Sequence, residues 1–163
     1  MPNHLPVRIA SDFEARYPNS SAAATECAMN LVFTSDLLVS RIAKLVQPFD
    51  LTPASGLVLS MLADNKAPMP PNEIASRLII TRATVTGLVD SLERRGYVQR
   101  RSHPSDRRSI LVEITDKGCQ VADAFRLIVH QHQKEWFQTL SEQEQQQFID
   151  SLHRLQAALG DFD

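Results

Sequence analysis

Residues 81–115 read TRATVTGLVDSLERRGYVQRRSHPSDRRSILVEIT, and this stretch decides the fold. Its first part places Val85, Leu88, Val89 and Leu92 at spacings of three and four, the buried stripe of an amphipathic helix. Thr81 stands where it would cap that helix, and Gly96, directly after Arg94 and Arg95, where it would end it. Residues 97–101 and 109–114 follow as two strands. In the second strand, Ile110, Val112 and Ile114 alternate with more exposed positions, and a tip containing Pro and Ser joins the pair. Between Arg82 and Arg108 stand seven Arg against Asp90, Glu93 and Asp106, a local net of +4 in a chain whose total is −2. A basic surface confined to a helix and a hairpin is the electrostatic footprint of a duplex-DNA reader.

The face opposite the apolar stripe carries Ala83, Gly87, Asp90 and Arg94. Thr84 and Ser91 flank it on one side, Thr86 and Arg82 on the other. Gly87 costs a helix interior about 1 kcal/mol relative to Ala, and close approach to another surface would give it a purpose. Arg can pair bidentately with guanine, and a Thr methyl can touch the thymine methyl in a major groove. Taken alone, the same pattern is also an ordinary solvated helix face.

Working outward, a short helix over about 71–78 with Ile74 and Leu78 buried leads into the reading helix through Ile79-Ile80-Thr81. Two helices so joined make a helix-turn-helix candidate. The hairpin then becomes a wing whose Arg107 or Arg108 could enter the narrow minor groove. Upstream, residues 1–21, with Pro2, Pro6 and Pro18, read as a loosely ordered arm. Leu31, Leu38, Val39, Ile42, Leu45 and Val46 mark a long helix that Pro48 ends. Thr52-Pro53 restarts the chain as a helix with Leu57, Val58, Met61 and Leu62 on its apolar face. Downstream, Thr115 caps a helix carrying Val121, Phe125, Ile128, Val129 and Trp136. Ser141 and Glu144 form a capping box for a last helix with Phe148, Ile149, Leu152, Leu155 and Leu159. The expected fold is mainly α with a small β-hairpin wing (α+β). A winged helix-turn-helix lobe spans 51–115, and a helical dimerisation region spans 22–48 and 116–163.

Composition narrows the function. At 43% hydrophobic residues the chain can bury a sizeable core. No apolar run is long enough to span a bilayer, and the N-terminal stretch lacks the apolar region of a secretory signal, so the expected location is the cytoplasm, without membrane contact. A pI of about 6.2 argues against a binder that works by bulk charge. Cys27 and Cys119 are too few for a disulfide framework and lack metal-ligand spacing. His130 and His132, two apart on a helix, diverge. Neither a metal nor a cofactor is expected.

Three segments carry a resemblance to the MarR family of winged-helix transcription regulators. LTPASGLVLSML (51–62) resembles that family's second helix. NEIASRL (72–78) with TRATVTGLVDSLERRGYVQRR (81–101) resembles its helix-turn-helix, and SDRRSILVEITDKG (105–118) resembles its wing and the next helix. The likeness covers roughly residues 28–160. It implies a regulator rather than an enzyme: a homodimer whose two winged lobes read a pseudo-palindrome in double-stranded DNA, commonly as a repressor. By position it puts Thr81, Arg82, Thr84, Thr86 and Gly87 on the reading helix, with Arg94 and Arg101 as further basic candidates. Asp106 and Arg108 match the family's Asp-x-Arg wing pair, with Arg107 available to phosphate. In two places the chain departs from the pattern. Ile79 stands where relatives often have Gly, implying a tighter or shifted turn, and Met69 stands where an N-cap Ser or Thr is common.

The resemblance further implies a small effector, often aromatic or phenolic, whose binding changes lobe spacing and releases the DNA. Val39, Ile42, Leu57, Met61 and Phe125 are the candidate walls, although plain core packing accounts for each as well. A peroxide-sensing branch of the family has a reactive Cys near Cys27. Alignment places that Cys at Ala28, and Leu31 and Val32 occupy the stretch where its supporting tyrosines would stand. Cys119 lies in the first turn of a helix, where the macrodipole favours a thiolate. Two other function classes remain at this stage: a redox sensor or thiol enzyme built on Cys27 or Cys119, and a winged-helix protein-interaction module that binds no DNA.

Overall fold

The computed structural model describes residues 6–65, 67–102 and 109–160, and it is mostly helical with one two-stranded hairpin. Helix α1 covers Phe13–Arg16, α2 Ala22–Val46, α3 Pro53–Asn65, α4 Pro71–Leu78 and α5 Arg82–Arg94. Strands β1, Val98–Ser102, and β2, Ile110–Ile114, follow, then α6, Asp116–Phe137, and α7, Glu142–Leu159. Contacts divide the chain into two units, residues 1–57 and 58–163, with the division falling inside α3.

In the first unit the segment around Val7 and Ile9 is hydrogen-bonded to α2. The Asn30 side chain accepts from the Val7 amide (3.0 Å) and donates back to the Val7 carbonyl (3.1 Å). Glu26 accepts from the Ile9 amide at 2.8 Å. Carboxylate and amide side chains one helical turn apart thus act as a short strand edge for an extended segment, a pairing that composition does not reveal. Ser21 caps α2 by accepting from the Ala24 amide. The helix ends at Val46 in a 3-10 turn, Gln47–Phe49, that contains Pro48. Thr52 and Ser55 then cap α3 reciprocally, each side chain accepting from the other's amide.

In the second unit α3 buries Val58, Leu59 and Leu62, each at most 1% exposed, while Leu57 is turned outward at 59%. The expected apolar face is therefore rotated by about one residue. With five apolar side chains in six positions, periodicity alone does not choose the face. Met69, Ile74, Val85, Val89, Leu92, Val98 and Val112 are similarly enclosed, and Ala122, Phe125 and Val129 of α6 are buried as well. Burial of each of the larger side chains contributes about 1.5–3 kcal/mol. The hairpin pairs Val98 with Ile114 and Ser102 with Ile110. Met69 adds a bridge to Val112 with both hydrogen bonds formed, at 2.9 and 2.8 Å. Here Met69 serves the sheet: α4 begins after Pro70 without a side-chain cap, and Pro71 in the first turn leaves one fewer amide to satisfy. Ile110, expected inside, is 48% exposed at the end of the ladder.

Both helices of the helix-turn-helix end in a Schellman motif. After α5, Gly96 takes φ +71°, its amide bonds to Glu93 and the Tyr97 amide reaches Leu92. That bond draws Tyr97 out of β1, which begins one residue later than expected. After α4, Ile79 takes φ +53°, its amide bonds to Ser76 and the Ile80 amide reaches Ala75 at 3.1 Å. The turn thus closes with Ile79 itself in the conformation that Gly takes most easily.

Candidate nucleic-acid interface

Helix α5 is held by one stripe and open on the rest. Thr81 caps it by accepting from the Thr84 amide at 3.1 Å. Val85, Val89 and Leu92 are at most 1% exposed, with Leu88 half-buried beside them. Arg82, Ala83, Thr84, Thr86, Gly87, Asp90 and Arg94 are all exposed, forming a continuous arc over more than half of the helix. A Cβ at Gly87 would meet nothing within 4 Å, so the fold places no demand for glycine there. The candidates Thr81, Arg82, Thr84, Thr86, Gly87 and Arg94 thus share one surface. Thr81 and Thr84 exchange a hydroxyl hydrogen bond at 2.8 Å, and the Thr86 hydroxyl donates to the Arg82 carbonyl at 3.0 Å. Those bonds orient the methyl groups and still leave acceptor capacity on the hydroxyls.

The structure separates the arginines into two sets. Arg100 on β1 pairs with Asp90 and Glu93 of α5, and its amide donates to Glu93 at 3.0 Å. Burial works against the Arg100 charge, but the hydrogen bonds and charges of the two carboxylates outweigh it, so its pKa stands above the ordinary guanidinium value. One consequence is structural: the strand is bolted to α5. Another is electrostatic: Asp90, which lies on the exposed arc, shares the Arg100 cation with Glu93, so the three groups together carry −1 rather than the −2 of the carboxylates alone. Arg101 is exposed but ion-paired with Glu113, which also accepts from Gln99 at 2.6 Å. Arg95 donates to the Ser91 carbonyl at 2.8 Å. Among the described residues Arg82 and Arg94 form no ion pair, so their charge remains available to a partner. Asp106, Arg107 and Arg108 lie outside the described residues.

The exit end of α5 is clamped by Thr115, which the sequence marks as a cap, together with Lys117 and Gly118, which sequence reading passed over. Thr115 caps α6 by accepting from the Gly118 amide at 3.0 Å, while its hydroxyl faces the Gly96 carbonyl at 2.7 Å. Lys117 donates to the Arg95 carbonyl at 2.8 Å and lies over the Tyr97 ring. A Cβ on Gly118 would fall 2.0 Å from the Tyr97 carbonyl oxygen, so α6 meets the start of the hairpin at a distance only glycine permits. A lone Gly in the first turn of a helix was the available signal.

At the entry end, Asn72, Ala75 and Ser76 of α4 with Ile79, Ile80, Thr81 and Arg82 line a shallow open groove. The effector candidates lie as follows: Val39 and Leu57 are exposed and Ile42 half-buried in the first unit, Met61 half-buried and Phe125 buried in the second. Cys27 is an exposed free thiol and Cys119 a half-buried one. His132 pairs with Glu135 at 3.0 Å and stacks on Trp136. Among the described residues no group of three metal-ligating side chains assembles. Among them, too, no helix is long and apolar enough to cross a membrane.

Comparison with known proteins agrees with this geometry. A MarR family profile matches residues 49–109. The HTH-type transcriptional repressor YetL of Bacillus subtilis is 32% identical over 117 residues, covering 71% of this chain and 70% of that protein. MepR of S. aureus, solved in its DNA-binding conformation, is 25% identical over 81% of this chain and 97% of its own, with a TM-score of 0.72. CouR from Rhodococcus jostii RHA1, solved bound to p-coumaroyl-CoA, is 26% identical over 83% of this chain and 95% of its own, also with a TM-score of 0.72.

Proposed function

The chain belongs to the MarR family of DNA-binding transcriptional regulators, and we propose that it acts as a homodimeric repressor that reads a pseudo-palindromic operator and is released by a small ligand. The observation that carries this reading is the exposed arc of α5, whose one carboxylate, Asp90, is partly offset by Arg100, which it shares with Glu93. Thr84, Thr86 and Gly87 would face base edges in the major groove, where small side chains and methyl groups allow close approach. Thr81 and Arg82 at the helix start, and Arg94 further along, would meet phosphates. Arg101 would contribute a charge shared with Glu113. Asp106, Arg107 and Arg108 join the set on sequence alone, between β1 and β2.

Large exposed apolar side chains support the homodimer. Helix α2 exposes Met29, Val32, Phe33 and Leu37, and α7 exposes Phe148, Ile149, Leu155 and Leu159, each at 39% or more. Apolar surface on this scale marks interaction sites, and a second copy would cover it. The description of YetL as a repressor supports repression, and the p-coumaroyl-CoA held by CouR supports an aromatic or phenolic effector.

Retention of genomic duplex fragments by the purified protein tests the proposal. The expected result is a symmetric site with half-sites about 10 base pairs apart, bound with an affinity that falls linearly on a log–log salt plot. Failure to enrich any fragment over random duplex DNA would contradict it.

A further inference from the structure

Ile79 combines two features that stability alone does not explain. It is 83% exposed, the highest value among the exposed large hydrophobic residues described. It is also a β-branched residue held at φ +53°, ψ +47°, where a side chain on Cβ crowds the backbone. A residue held in such a conformation usually serves the surface it reaches. Gly would satisfy the same Schellman motif without strain, and an exposed polar residue would avoid the cost of wetting an isoleucine. Ile79 neither fills the core nor eases the turn.

Its surroundings say what it faces. Ile79 lines the open groove with Asn72, Ser76, Thr81 and Arg82, an apolar side chain set among hydrogen-bond donors and next to a guanidinium without an ion pair among the described residues. The groove lies at the start of α5, beside the arc carrying Thr84, Thr86 and Gly87. A partner that brings negative charge to Arg82 and an apolar ledge to Ile79 fits this composition, and one strand of a DNA duplex has both in its phosphate and deoxyribose. The geometry points to Ile79 as a further DNA-contacting residue that packs against the deoxyribose edge of the strand whose phosphate pairs with Arg82. This inference rests on the DNA-reading role proposed for α5. Because the sugar edge is common to all sequences, Ile79 adds affinity without adding base discrimination.

The test uses the full-length protein and a duplex it selects from random-sequence DNA. Ile79→Gly should raise the Tm by about 2–4 °C, because relief of the left-handed strain exceeds the added freedom of the unfolded chain. The same substitution should weaken binding about fivefold to tenfold, on the scale of losing a partly buried aliphatic side chain. Ile79→Asn, which tolerates the left-handed region and removes the apolar surface, should weaken binding similarly. The loss should be the same for duplexes altered at single base pairs. The slope of log affinity against log salt should stay at the wild-type value, because no phosphate contact is removed. Wild-type affinity in Ile79→Gly overturns the inference while leaving the DNA-reading role intact. A shallower salt slope in that variant overturns it as well, since the effect would then run through Arg82. If the wild-type protein selects no duplex, both this contact and the proposed function fall.

Discussion

After α4 the chain turns through Ile79 at φ +53°, and after α5 through Gly96 at φ +71°, with the same Schellman pattern of hydrogen bonds at both places. The surroundings differ. Around Gly96, the Thr115 hydroxyl, the Lys117 ammonium, Gly118 and the Arg100 ion pairs hold helix, strand and next helix together. Around Ile79 there is an open groove, and Arg82 forms no ion pair among the described residues. The exit end of α5 is built for stability, and the residues there suit their backbone. The entry end keeps a residue that its backbone disfavours, and there the demand comes from a partner. Strain retained on an exposed surface beside a well-adapted equivalent is a useful indicator of contact.

Substitutions can break this contrast, beginning at the clamped end. Gly118→Ala places a methyl group 2.0 Å from a backbone oxygen, so urea unfolding should show a loss of about 3 kcal/mol. Stability like that of the wild type would mean that α6 is not clamped to the hairpin. Arg100→Met strips the charge-assisted hydrogen bonds from Asp90 and Glu93, with an expected loss of about 1–2 kcal/mol in the same assay. It should also weaken DNA binding, because the Asp90 and Glu93 cluster then carries −2 instead of −1 beside the arc. An affinity equal to wild type would remove the electrostatic role assigned to Arg100. Gly96→Ala forces a Cβ into the left-handed region and should cost about 1 kcal/mol, opposite in sign to the Tm gain expected for Ile79→Gly. If both shift stability in the same direction, the contrast between the two ends fails. Arg82→Ala should change stability least, by under about 0.5 kcal/mol, since the side chain makes no ion pair among the described residues.

What could be read from the chain follows the range of the forces involved. Caps are local, so Thr81, Thr115, Ser141 with Glu144, and Gly96 stand where their chemistry places them. The buried stripe of α5 was also legible, because a period of 3.6 needs only one helix. Pairings that depend on register were not. Arg100 and Arg101 look alike in sequence, yet one meets Asp90 and Glu93 of α5 and the other meets Glu113 across the hairpin. The conformation of Ile79 was hidden for another reason. Isoleucine avoids the left-handed region on its own, and the packing of α4 against α5 overrides that preference. The face of α3 and the exposure of Ile110 depend on neighbours that one segment cannot show. Within the candidate site, the exposed face of α5 was visible in the sequence, while the clamp at the end of that helix was not.

The most direct measurement is the salt dependence of binding for wild type and Arg82→Ala on one selected duplex, from about 50 to 200 mM salt. Wild-type affinity should fall linearly on the log–log plot, and the variant should be weaker with a slope shallower by about 0.9 for each protomer bound. Equal affinity and equal slope for the two proteins would contradict the placement of the exposed arc of α5 against DNA.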